Sequence, residues 1–118
     1  MPEIGMPFEF DRSTYRIPYP PTARGRLLAG GVEYQLVDCS ERGIRYMTEI
    51  ANMPEPGTRV SGTVRLLSGG PAHPVDGTVV RCRSGEVAVE LDAPGIPVQA
   101  VFAEQRYLGR RFPLRFNR

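Results

Sequence analysis

The chain of 118 residues is 41% hydrophobic and 24% charged, with a formal net charge of +2, which suits one soluble domain around a single modest core and leaves no room for a second. So small a net charge excludes a general polyanion binder, because recognition of an anion must then come from a local cluster and not from a whole-protein field. Two cysteines and one histidine, at no ligand spacing, exclude a disulfide framework and any familiar metal-binding pattern.

Twelve prolines and thirteen glycines separate short apolar runs about ten residues apart, the pattern of a small all-β barrel or sandwich. Residues 1–9 read as a flexible lead. Their acidic Glu3 and Glu9, with no basic start and no apolar run, do not resemble a secretory signal, no stretch approaches membrane-spanning length, and free thiols fit a reducing cytoplasm. Arg12 and Arg16 follow in a proline-flanked segment that favours an extended, mobile loop over a helix.

The first hairpin is expected over Thr22 to Leu28 and Val32 to Cys39, turning at Gly30-Gly31, since a double glycine supplies the positive φ of a tight turn. A turn at Asp38-Cys39-Ser40-Glu41-Arg42-Gly43 leads into a strand from Gly43 to Thr48, with Ile44, Tyr46 and Thr48 on one face and Arg45 and Met47 on the other. A loop at Asn52 to Gly57 precedes the cleanest alternation in the chain, Thr58 to Leu67. Further strands are expected near Val75 to Arg83 and at Glu86 to Leu91, joined by Ser84-Gly85. Val98 to Leu108 is the one helix candidate: Val98, Val101, Phe102 and Leu108 can share a face, Gly109 can cap, and Pro113 blocks continuation. Residues 109–118 form an arginine-rich tail whose Phe112, Leu114 and Phe116 are expected to fold back on the barrel.

Two strings carry the chemistry. Arg12-x-x-x-Arg16 alone says little, because all 15 basic residues are arginine and pairs four apart recur. The string Asp38-x-Ser40-x-x-Gly43 is rarer, with roughly 0.03 chance occurrences expected from the Asp, Asn, Ser and Gly content. Together they suit a guanine nucleotide. An arginine fork bridges guanine O6 and N7 or clamps a phosphate, and a carboxylate accepts from guanine N1 and N2 and so tells guanine from adenine. Ser40 and amides around a tight turn add phosphate donors, and Gly43 is expected to permit a backbone conformation or close approach that a Cβ forbids. Arg42 and Arg45 stand near enough in sequence to assist.

On these residues the chain resembles the PilZ domains, bacterial receptors for cyclic di-GMP, over about residues 10 to 108. The family's paired-arginine motif falls on Arg12 and Arg16 and its second motif on Asp38, Ser40 and Gly43. One departure is Ser13, where many members carry a further arginine, and this bears on how many ligand copies bind. The resemblance implies a six-stranded antiparallel PilZ-type β-barrel with a C-terminal helix. It also implies a cytoplasmic sensor that binds cyclic di-GMP without transforming it and signals to a protein partner, with no cofactor, no nucleic acid and no membrane insertion. The alternative is a PilZ-like interaction adaptor with weak or no nucleotide binding. The lone His73, between Ala72 and Pro74, has no nucleophile or orienting partner at characteristic spacing, and neither a G-x-x-x-x-G-K loop nor a G-x-G-x-x-G fingerprint occurs.

Overall fold

The computed structural model describes residues 16–113; Arg12 and the rest of segment 1–15, together with 114–118, lie outside the described residues. Among these described residues the elements follow in order: β1 (Ile17–Pro18), β2 (Arg26–Ala29), β3 (Val32–Cys39), β4 (Gly43–Met47), β5 (Arg59–Arg65), β6 (His73–Arg83), β7 (Glu86–Leu91) and α1 (Val98–Arg111), with a 3-10 turn at Ile50–Asn52. All pairings are antiparallel. The neighbours run β2, β5, β6, β7, β4, β3 and back to β2, which closes a six-stranded barrel, and the two-residue β1 lies along the C-terminal half of β3.

The turns explain the closure. Ala29 pairs with Val32 across Gly30 and Gly31 at φ 61° and 80°, the double positive φ that matches the twist of a two-residue hairpin. β2 starts later than the sequence alone indicates. Pro20 and Pro21 hold a turn in which Ala23 N–H donates to the Pro20 carbonyl at 3.2 Å, and the ladder begins only at Arg26. Inside the barrel, side chains one strand position in two point to a shared core that includes Leu27, Leu36, Ile44, Val64, Val79 and Val89, all at most 2% exposed.

Two irregularities interrupt that alternation. Between Leu36 and Asp38 the β3–β4 register shifts by one residue, and between Val79 and Arg81 the β6–β7 register does the same. Each is a β-bulge, which re-aims the side chains beyond it. Leu36 and Asp38 have the same sequence parity, yet Leu36 packs in the core while Asp38 pairs opposite Arg45 on the outside; Cys39, of opposite parity, takes the interior place. On β6, Val75, Gly77 and Val79 face inward, whereas Arg81 and Arg83 are exposed.

Helix α1 closes one side of the barrel. Its buried residues are Val101, Glu104, Leu108 and Gly109, a stripe at i, i+3, i+7 and i+8. This differs from the expected face: Val98 and Phe102 are 38% and 43% exposed, and a glutamate sits at the centre of the buried stripe. The helix also continues past the expected cap. Gly109 is helical, Phe112 is the C-cap with its N–H on the Leu108 carbonyl at 2.8 Å, and Pro113 follows. Termination therefore falls to proline, which cannot continue a helix. Arg110 and Arg111 occupy the last turn, where positive charge complements the helix dipole. Phe112 packs against the core; Leu114 and Phe116 lie outside the described residues.

Candidate functional site

Asp38 stands on the outer face of the barrel, beyond the first bulge, and is only 2% exposed. Its Oδ2 accepts from both Nε and Nη2 of Arg45, at 2.8 and 2.6 Å, while Arg45 Nη1 donates to Glu86 Oε1 at 3.0 Å. These bonds raise the pKa of the guanidinium above its already high ordinary value, the hydrogen bond from Asp38 being the chief cause. Arg16 enters just before β1 and brings Nη1 to 3.8 Å from the same Asp38 oxygen. It gets there because Ile17 pairs with Cys39 and Pro18 with Asp38. Among the described residues, the buried Asp38 Oδ1 has no hydrogen-bond partner. A buried acceptor left without a donor costs about 1–3 kcal/mol.

Ser40, 1% exposed, shapes the turn. Its backbone N–H and its hydroxyl both donate to the Gly43 carbonyl, at 2.8 and 3.1 Å. Gly43 does not need glycine for its backbone conformation, since its φ is not among the positive ones. A Cβ there would stand 3.4 Å from Ser40 Oγ and 3.6 Å from the Val89 carbonyl, which are ordinary contacts. The expected conformational reason for Gly43 is therefore corrected; what remains is the open backbone surface that a missing side chain leaves.

The turn is clamped from behind by the segment that leads into α1. Leu91 N–H donates to the Arg42 carbonyl at 2.9 Å and Ile96 N–H to the Glu41 carbonyl at 2.8 Å, while Arg42 Nε donates to the Leu91 carbonyl at 2.9 Å. Arg42 thus gives one donor, Nε, to backbone, and its charge contributes to holding the Asp92 carboxyl below the usual range, behind the larger effect of Arg59. Gly95 is the glycine this arrangement requires: its φ is +74°, and a Cβ would collide with the Glu41 carbonyl.

A second tie runs through the core. Glu104 of α1, fully buried, accepts from Tyr19 OH at 2.5 Å, Leu67 N–H at 2.8 Å and Ser68 N–H at 2.8 Å. Tyr19 OH also lies 3.6 Å from Cys39 Sγ, between the two motif residues Asp38 and Ser40. Burial pushes the Cys39 thiol up to about 12 and drives the Tyr19 hydroxyl well above its ordinary value. Both cysteines are free, with Cys82 Sγ donating to the Pro54 carbonyl at 2.7 Å.

Beside Arg45 opens a cavity of about 520 Å³ lined by Arg45, Arg81, Arg83, Ser84, Glu86 and Ala88. Arg81, Arg83 and Ala88 were not legible as site residues in the sequence. The one available signal was the break in parity on β6, where inward Val75, Gly77 and Val79 are followed at the same spacing by Arg81 and Arg83. Of the expected residues, the fold brings Arg16, Asp38 and Arg45 together and sets Ser40 and Gly43 on the adjoining turn, while Arg42 is committed to the β7 end and Arg12 lies outside the described residues.

Among the described residues, no helix is long and apolar enough to cross a membrane, and no cluster of three metal-ligating side chains occurs. No curated protein matches the sequence. The family model of the PilZ domain matches residues 10–107, a span that contains both motifs and the whole closed barrel, and on that match the chain belongs to the PilZ domain family, whose members are non-catalytic binding domains.

Proposed function

We propose that this protein is a cytoplasmic receptor for cyclic di-GMP, in which ligand orders the N-terminal arginine segment over the barrel and the altered surface signals to a protein partner. The observation that carries the reading is the approach of Arg16 to Asp38, which joins one residue of the paired-arginine string to the Asp-x-Ser-x-x-Gly turn. Among the described residues one oxygen of Asp38 has no donor, and guanine N1–H and N2–H are donors that adenine lacks in that arrangement. Arg12 and Arg16 supply planar forks able to stack on a base or grip a phosphate. Ser40 and the open backbone of Gly43 accept close approach by the ligand.

Transmission follows from how the turn is tied. Glu41 and Arg42 carbonyls bond the segment entering α1, and Tyr19, three residues after Arg16, bonds Glu104 in its middle. A ligand that biases the motif residues therefore biases helix docking, provided it interacts differently with the two arrangements.

An adaptor that binds no nucleotide is favoured by one observation: Asp38 and Ser40 are both almost wholly buried and already engaged within the protein. Calorimetric titration with cyclic di-GMP, with GMP and cyclic di-AMP as controls, separates the two. The receptor reading requires heat and a rise in melting temperature with cyclic di-GMP, since a ligand selective for the folded form stabilises it by mass action. Silence at high micromolar ligand supports the adaptor, and equal binding of cyclic di-AMP removes the guanine-reading role from Asp38.

A further inference from the structure

The two bulges serve one face. Asp38 pairs opposite Arg45, Arg45 opposite Ala88, and Ala88 opposite Arg81, so these four residues form one lateral row across β3, β4, β7 and β6. The first bulge turns Asp38 onto the row and the second turns Arg81 onto it, with Arg83 two residues along. Without the second bulge, Arg81 and Arg83 would share the inward face of Val75, Gly77 and Val79. The bulge is thus what delivers two guanidinium groups to the outer surface next to the motif.

Between the arginines the floor is small. Ala88 separates Arg45 from Arg81, whose backbones stand two strand spacings apart, about 9.5 Å, and this gap forms the cavity of about 520 Å³. The lining sets three guanidinium groups against the single carboxylate of Glu86, which is already bonded by Arg45. Beyond their backbone ladder with β7, neither Arg81 nor Arg83 makes a side-chain hydrogen bond or ion pair among the described residues. Two unengaged forks facing a groove with excess positive charge make a receptor for an anion with several acceptor oxygens.

We propose that Arg81 and Arg83 form the far wall of the ligand site and grip a phosphodiester of the guanine dinucleotide whose base is held at Asp38. The inference rests on the receptor reading above and extends the site from the motif turn, across β4 and β7, to β6. Arg45 then stands in the middle of the site, fixed by Asp38 and Glu86 so that its fork meets the ligand without reorganising.

The test is calorimetric titration of cyclic di-GMP into the full chain and into Arg81→Ala, Arg83→Ala and the double variant, with Arg65→Ala, an exposed position on β5 outside the groove lining, as the control for general charge. Each groove variant should weaken binding roughly tenfold and the pair roughly a hundredfold, by the usual strength of charge-assisted bonds. Arg65→Ala should bind as wild type. The double variant should also lose part of the salt dependence, because fewer cations meet the phosphates, and melting of the empty variants should match wild type. Arg81→Lys should recover less than half of the loss in free energy, since a point charge replaces a fork. Wild-type protein that gives no heat overturns the receptor reading and this inference with it. Wild-type binding that stays within twofold in the folded double variant, or falls equally in Arg65→Ala, overturns this inference alone.

Discussion

Replacing Glu104 tests whether one buried carboxylate holds the helix on the barrel. Glu104→Ala removes the acceptor of three donors, Leu67 N–H, Ser68 N–H and Tyr19 OH, and leaves the hydroxyl only the weak contact with Cys39 Sγ. Tyr19 is buried, while Leu67 is half-buried and Ser68 exposed, so water can reach the two amides but not the hydroxyl. Taking about 1 kcal/mol for each amide and about 2 for the hydroxyl, within the range for unsatisfied groups, destabilisation should be about 3–4 kcal/mol. At about 4 °C per kcal/mol for a domain of this size the melting temperature should fall by about 12–16 °C. Glu104→Gln is the sharper probe. The amide NH2 must replace either Oε1, facing Ser68 N–H, or Oε2, facing Leu67 N–H, so one donor always meets another. A loss of about 2 kcal/mol is expected despite the near-identical shape. Urea melts at neutral pH measure both, and a cycle with Tyr19→Phe measures the shared bond: the Tyr19→Phe cost should shrink in the Glu104→Gln background. A Glu104→Ala loss below about 1 kcal/mol, or strict additivity in the cycle, refutes the role given to this carboxylate.

Arg16→Ala should lower cyclic di-GMP affinity roughly tenfold to a hundredfold while leaving the empty protein's melting temperature within about 2 °C, because its approach to Asp38 is a half-exposed ion pair of small worth; an equal loss of stability would mark Arg16 as structural. Gly43→Ala should cost the empty protein less than about 1 kcal/mol, since the Cβ meets only ordinary contacts, and should weaken ligand binding if open backbone at the turn is what the ligand needs; calorimetry and thermal melts read the two effects separately. Stability should fall as pH rises above 9: Cys39 is raised from 9.0 to about 12, so the unfolded thiol ionises while the folded one does not, which removes up to about 1.4 kcal/mol per pH unit. Tyr19, raised from 10.0, adds to the fall at higher pH, and urea melts of Cys39→Ala that keep the full slope between pH 9 and 10 would show that the thiol is not its source.

How far the sequence could be read depended on what each feature costs the chain locally. Hairpins were legible because Gly30-Gly31 and Ser84-Gly85 carry their own turn chemistry, and β4, β5 and β7 because their alternation is unbroken from end to end. The motif residues Asp38, Ser40 and Gly43 were legible as a string; Ser40 bonds Gly43 across the turn, and Asp38, just before it on β3, bonds Arg45. Glu104 was not legible. A charged residue in a helix reads as a solvent face, and only the tertiary arrival of Tyr19 and the Leu67–Ser68 amides gives it a reason to be buried. Nor does anything in the sequence mark Gly95, although it is the residue that lets the Glu41 carbonyl approach.

The bulges explain why the site was harder to read than the fold. A strand's two faces are separated by parity, and a one-residue insertion exchanges them without any change in composition. Leu36 and Asp38 would share a face in a regular strand, as would Val79 and Arg81. In a closed barrel whose interior is filled by Leu27, Val64, Val79 and Val89, a carboxylate or guanidinium cannot take the inward place without several kcal/mol of desolvation. The core thus forces the register shift wherever a charged residue follows an inward apolar one at even spacing. Both such breaks fall on the same lateral row, beside Arg45 and Ala88. The same desolvation cost that keeps charge out of the barrel therefore concentrates it on one patch of the outer wall, and a parity break in an otherwise alternating strand is the trace of that patch in the sequence.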